Sequence, residues 1–192
     1  MSNHGLLLAA GAGTRMGRPK ALVDGWLTRA VDSLESAGCH GVTVVLGAGA
    51  DEASALLADA GVEVRQVVAA DWADGMGASL RAGLESLDDG PDGPDAVIVT
   101  LVDLPDVGAE VVRRVLADPV DTATLRRAAY DGTPGHPVLI GRDHWAGVAA
   151  AASGDRGARD YLAAHATGLV ECGDLASGVD VDSPTFGQPR RQ

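Results

Sequence analysis

A single lysine, Lys20, closes the segment Leu8-Ala-Ala-Gly-Ala-Gly-Thr-Arg-Met-Gly-Arg-Pro-Lys20, whereas every other one of the fifteen Lys/Arg positions in this 192-residue chain is arginine. An ammonium is a compact point charge, suited to a phosphate oxygen in a tight loop where a planar guanidinium fork is not. Gly11, Gly13 and Gly17 let backbone N–H groups turn toward an anion without steric penalty. Arg15, Arg18 and Lys20 place three cations within six positions of a chain whose formal net charge is -12. The glycines alone would describe an ordinary strand–helix connection. Glycines and concentrated cations together, in an acidic protein, describe a loop that neutralises a triphosphate.

Two common phosphate loops do not fit. A Walker loop ends in Gly-Lys followed by Ser or Thr, and here Ala21 follows Lys20 with a different glycine spacing. A dinucleotide fingerprint puts its third glycine where Met16 stands and a carboxylate after the second strand, where this chain has Leu46-Gly47-Ala48-Gly49. Pro19 disfavours helical conformation at Arg18, so the anion meets an extended loop rather than a helix N-terminus.

Asp103 follows the apolar run Ala96–Leu101. A carboxylate there reads either as an Mg²⁺ ligand, since hard cations take oxygen, or as a cap for the helix after Pro105. Asp180 and Asp182 lie two residues apart, on one face of an extended segment, and offer either further ligands or a turn before Pro184. Gly75 and Gly77 would let the chain pass close to a ligand, with Ser79 as a donor to a ribose or base. His136 lies in a tight loop, Asp131–Pro137, and reads equally as a substrate contact or as a turn histidine.

These residues need a frame. Leu6–Ala9 reads as a buried strand, Leu27–Ala37 as a helix, Val42–Leu46 as a strand, Ala53–Ala60 as a helix and Val62–Val68 as a strand. Leu80–Leu87 has helical spacing, Ala96–Leu101 is the clearest buried strand, and Val112–Leu116 is helical again. Thr122–Arg127 and Val138–Ile140 read as strands, and Ala158–His165 as a helix. This alternation predicts one Rossmann-like α/β domain of three layers, a mostly parallel sheet with helices on both faces. The loop 11–20, the segment 71–79 and Asp103 then all fall at strand carboxyl ends, where such sheets bind ligands.

The length suits one domain, and the negative charge argues against nucleic acid or an anionic membrane as partner. Cys39 and Cys172 show no metal-ligand spacing and read as free thiols in a reducing compartment. No Lys or Arg precedes the Leu6–Ala10 run, and cleavage after it would remove the cationic loop, so it reads as a strand rather than a signal peptide. The expected location is the cytoplasm.

The loop Leu8–Lys20 resembles the signature of the molybdenum cofactor nucleotidyltransferases, the MobA-like NTP transferases. Trp72–Ser79, Asp103-Leu-Pro105, Pro134-Gly-His-Pro137, Gly154–Arg159 and Val179–Pro184 resemble the cytidylyltransferase branch, in the right order. The resemblance implies the nucleotide-diphospho-sugar transferase fold over residues 1–184, with 185–192 as a C-terminal tail. It implies transfer of CMP from CTP to molybdopterin-bound molybdenum with release of pyrophosphate, and a recipient molybdoenzyme or its chaperone as protein partner. On that basis Arg15 and Lys20 hold the triphosphate and Asp103 and Asp182 hold Mg²⁺. The nucleotide lies along Leu8, Ala9, Ala10, Gly11, Gly13, Gly75, Gly77 and Ser79, and His136 faces the acceptor. The pair Ala9-Ala10 goes with CTP in that family, where Ala-Gly goes with GTP. The alternatives are GTP on the same cofactor, or another NTP with a sugar-phosphate acceptor. An NAD(P) reductase, disfavoured by Met16 and the missing acid after the second strand, and a silent nucleotide-binding module complete the set.

Overall fold

The computed structural model describes residues 2–87, 90 and 93–182. The strands are Asn3–Ala9 (β1), Val42–Leu46 (β2), Arg65–Val68 (β3), Ala96–Leu101 (β4), Leu125–Tyr130 (β5), Thr133–Gly141 (β6) and Gly168–Glu171 (β7). The helices are Trp26–Ser36 (α1), Ala50–Asp59 (α2), Met76–Ser86 (α3), Ala109–Leu116 (α4), Trp145–Ala151 (α5) and Arg159–Ala164 (α6). They form one seven-stranded sheet in the order β3-β2-β1-β4-β6-β5-β7, in which β6 alone runs antiparallel to its neighbours. The expected three-layer α/β domain is observed.

The pleat explains the two cores. Leu7, Ala9, Val44, Leu46 and Ile98 face the layer of α1, α2 and α4, while Leu6, Leu8, Val45, Val97 and Val99 face α3, α5 and α6. A central strand must therefore be buried at every position, as β2 and most of β4 are, with Thr43 and Thr100 the polar exceptions.

Four expectations shift. Val62–Val64 lies outside β3 because the Val62 amide donates to the Leu57 carbonyl and closes α2 instead. β5 begins at Leu125 rather than Thr122, because Asp121 accepts from the Ala123 amide and the Thr124 hydroxyl and winds 121–124 into a turn. The loop expected over 131–137 is a two-residue turn at Asp131-Gly132, with φ of 50° and 77°, so His136 sits within β6. α5 and β7 had no counterpart in the sequence reading. Residues 185–192 and Pro184 lie outside the described residues. Among the described residues no helix is long and apolar enough to cross a membrane.

Candidate active site

The sheet order places β1 beside β4, while their crossovers leave toward opposite edges. A crevice opens outside the carboxyl ends of such a pair. Here it is a cavity of about 670 Å³ whose floor comes from Leu8, Ala9 and Ala10 after β1 and from Leu101, Val102 and Asp103 after β4.

The loop after β1 stays extended until a short 3₁₀ turn at Lys20–Leu22, and α1 starts only at Trp26, as Pro19 demands. It closes on itself at Gly13, whose φ is +59° and where a Cβ would lie 2.0 Å from the Arg18 carbonyl oxygen. Only glycine fits there. The fold-back brings Gly11, Gly13, Arg15 and Lys20 to the cavity. Arg18 is exposed and does not line it, so two of the three cations expected to neutralise the anion are in place.

Asp103 meets them from β4. Its backbone carbonyl accepts the Val181 amide at 3.0 Å, and Val181 is buried. A buried Val181 between Asp180 and Asp182 leaves both carboxylates on the cavity side, as an extended segment requires. Asp106 holds the preceding chain by accepting from the Ser177 amide and hydroxyl, at 2.7 and 2.6 Å. The helix-cap reading of Asp103 gives way: Gly108 precedes α4, and the Asp103 side chain pairs with Lys20.

Lys20 Nζ lies 2.5 Å from Asp103 Oδ2 and 2.6 Å from Asp182 Oδ1. Arg15 forms an ion pair with the other oxygen of Asp182. Burial works against the lysine charge, but the hydrogen bonds it donates to both carboxylates outweigh it and hold the ammonium above its ordinary pKa. Asp182 is held below the carboxylate range, chiefly by its bond to Lys20. One oxygen each from Asp103, Asp180 and Asp182 falls within 4.8 Å of the others. All-oxygen donors at that spacing suit a hard divalent cation, and the ammonium between two of them marks the place as one for positive charge.

On the far wall, Gly75 and the buried Ser79 line the cavity, with Trp72 and Met76. Gly77 does not. A Cβ on Gly77 would lie 2.6 Å from the Ser153 amide nitrogen, and one on Gly75 2.6 Å from the Gly154 carbonyl carbon. Both glycines let the start of α3 pack against the 152–155 turn, and only Gly75 also faces the cavity. Trp72 is seated by Gly47, whose Cβ would lie 2.6 Å from both the indole and the Ala10 carbonyl oxygen. The Ala48 amide donates to that same oxygen at 3.0 Å. The sequence reading passed over Trp72; the Gly47 that follows β2 was its one signal.

A second cavity, of about 290 Å³, adjoins the first and shares Leu8, Met76, Leu101, Asp155 and Asp180 with it. His136 opens onto this one. Burial, with the charges of Arg127 and Arg159, lowers its pKa to about 4, so the ring is neutral near pH 7. The hydroxyl of Tyr130 donates to the His136 carbonyl at 2.6 Å and steadies the strand. Arg127 was not anticipated; it sits on β5 among residues whose spacing suggests only a strand.

Residues 5–169 match the family described as the MobA-like NTP transferase domain. A nicotine blue oxidoreductase from Paenarthrobacter nicotinovorans is 37% identical over 194 residues, covering 93% of this chain and 91% of the relative. Two solved structures share the fold. A nucleotidyl transferase from Methanothermobacter thermautotroptrophicus superimposes with a TM-score of 0.78 at 23% identity, covering 95% of this chain and 92% of its own. Rv0371C of Mycobacterium tuberculosis H37Rv, in complex with manganese, does so with a TM-score of 0.69 at 24% identity, over 94% of each chain.

Proposed function

Because the chain belongs to the MobA-like NTP transferase domain family, we propose that it transfers CMP from CTP to the terminal phosphate of a molybdopterin-type acceptor. The observation that carries this reading is the convergence of Arg15, Lys20, Asp103 and Asp182 in one cavity that adjoins a second, smaller one. One cavity takes the nucleotide and the other the acceptor, and Asp155 and Asp180 stand at their junction.

An oxygen of the acceptor phosphate attacks the α-phosphorus, the bond from that phosphorus to the bridging oxygen breaks, and pyrophosphate leaves. The nucleophile is already anionic, so no general base is needed. Catalysis is then in-line placement plus neutralisation of charge. Arg15 and Lys20 hold the β- and γ-phosphates and follow the charge onto pyrophosphate. Asp103 and Asp182, with Asp180 in reach, would hold a divalent cation such as Mg²⁺, which supplies further neutralisation of the triphosphate. His136, neutral, offers the acceptor a hydrogen bond without adding charge. The product would pass to a molybdoenzyme or its chaperone.

The test is a pyrophosphate-release screen of four NTPs with and without molybdopterin. Release that needs both CTP and the acceptor supports the reading. Release with a sugar phosphate in place of molybdopterin moves the assignment to another NTP transferase. A second reading has one observation behind it, the 37% identical relative named as an oxidoreductase. It predicts change in the absorbance of a nicotinamide cofactor with no pyrophosphate release from any NTP.

A further inference from the structure

Arg127 is drawn into the smaller cavity without a counter-ion. Its Nε–H donates to the Gly135 carbonyl at 3.1 Å, which sets the plane of the guanidinium. The two terminal nitrogens meet no protein acceptor among the described residues. Other arginines here are satisfied differently. Arg81, Arg114 and Arg156 pair with Asp71, Asp174 and Asp160, and Arg126 and Arg142 are spent on backbone carbonyls. Burial and the like charge of Arg159 both weigh against the charge on Arg127.

A half-buried guanidinium facing a second cation, with the neutral His136 beside it, is an unfavourable arrangement for the protein alone. Sites keep such strain where a ligand relieves it. Leu80, Val99, Val138, Ile140 and Leu162 form the apolar part of the wall, and Arg156 and Arg159 line it as well.

We propose that Arg127 is the receptor for the phosphate-like or carboxylate-like anionic group of the acceptor that fills this cavity. The inference rests on the transferase reading for the word acceptor, but its test needs neither nucleotide nor metal.

The full chain is titrated, by ligand fluorescence, with pterin-6-carboxylate and with the uncharged parent pterin. The wild type binds the carboxylate at least about tenfold more tightly, the worth of a charge-assisted hydrogen bond. Arg127→Met loses that preference, and Arg127→Lys keeps part of it because it restores charge without the fork. Without ligand, Arg127→Met melts about 2–4 °C higher than the wild type, as relief of an unpaired charge requires. Equal binding of the two compounds to the wild type, no binding of the carboxylate, a preference that survives Arg127→Met, or a lower melting temperature in that variant each overturns the proposal. Failure of the transferase reading would show instead as absent pyrophosphate release with these binding results intact.

Discussion

Lys20 Nζ sits 2.5 Å from Asp103 Oδ2, bridging residues 83 positions apart, and 2.6 Å from Asp182 Oδ1. The ammonium therefore takes up two of the oxygens that a divalent cation would use. The two cations compete, and a triphosphate settles the competition by giving Lys20 other oxygens to bond. Metal and nucleotide should then bind with positive coupling.

The measurement is Mn²⁺ binding by electron paramagnetic resonance on the protein without nucleotide. Lys20→Met should bind Mn²⁺ about ten- to a hundredfold more tightly than the wild type, since a hydrogen bond to a charged group contributes about 1.5–3 kcal/mol. CTP should tighten Mn²⁺ binding less in the variant than in the wild type. Turnover should still fall, because the charge that follows the departing pyrophosphate is gone. Unchanged Mn²⁺ affinity would show that the ammonium is no competitor.

Asp103 contributes to the fold through its backbone and, on the transferase reading, would contribute to chemistry through its carboxylate. The carbonyl holds Val181, and that bond survives substitution of the side chain. Asp103→Asn should therefore lower turnover by about two orders of magnitude or more while the melting temperature moves by a few degrees at most. Lys20 keeps Asp182 as a partner, which limits the loss of stability. A variant that melts far earlier, or that turns over normally at saturating metal, would return Asp103 to a structural role.

His136 makes an acid-side prediction. Its pKa is about 4 in the folded protein against 6.5 for an ordinary histidine. Between those values the unfolded chain binds more protons than the folded one, so this residue's contribution to stability is lost as pH falls from 6.5 toward 4. His136→Gln keeps a hydrogen-bonding group and removes the titration. Urea midpoints measured across pH 4 to 7 should fall less steeply on acidification in the variant. Parallel profiles would mean that the ring is hydrated and ordinary.

The sheet was legible because central strands buried on both faces are nearly continuous apolar runs, as Val42–Leu46 and Ala96–Leu101 are but for Thr43 and Thr100. The meeting of Asp103 with the loop after β1 followed from topology. What escaped was set by contacts distant in sequence. Helix α5, Trp145-Ala-Gly-Val-Ala-Ala-Ala151, has too little contrast between polar and apolar positions to show a period. β7 is a four-residue edge strand with no apolar run. Gly77 looked like a ligand approach because a close-packed turn, Ser153 in this case, gives the same glycine signature. Arg18 looked like Arg15 because nothing in the spacing tells which cation the fold-back at Gly13 turns inward.

On the transferase reading, base choice would turn on Ala10. It is buried, it lines the nucleotide cavity, and its carbonyl receives the Ala48 amide at 3.0 Å, so it cannot recede from a base. Behind it Gly47 brings Trp72 against the same carbonyl, which leaves the floor no slack. The Cβ of Ala10 then narrows the space for a second ring. A displaced purine also displaces its α-phosphorus, and an error of about an ångström can lower a rate about a hundredfold. The wild type should prefer CTP to GTP in kcat/KM with molybdopterin as acceptor. Ala10→Gly should narrow that preference by about ten- to a hundredfold, mostly by admitting GTP, since one methyl group discriminates by roughly 1–3 kcal/mol. A wild type that uses GTP as well as CTP would make the guanylyltransferase reading the better one. A preference unmoved by Ala10→Gly would place the discrimination elsewhere on the cavity wall, with Trp72→Ala as the next substitution to measure.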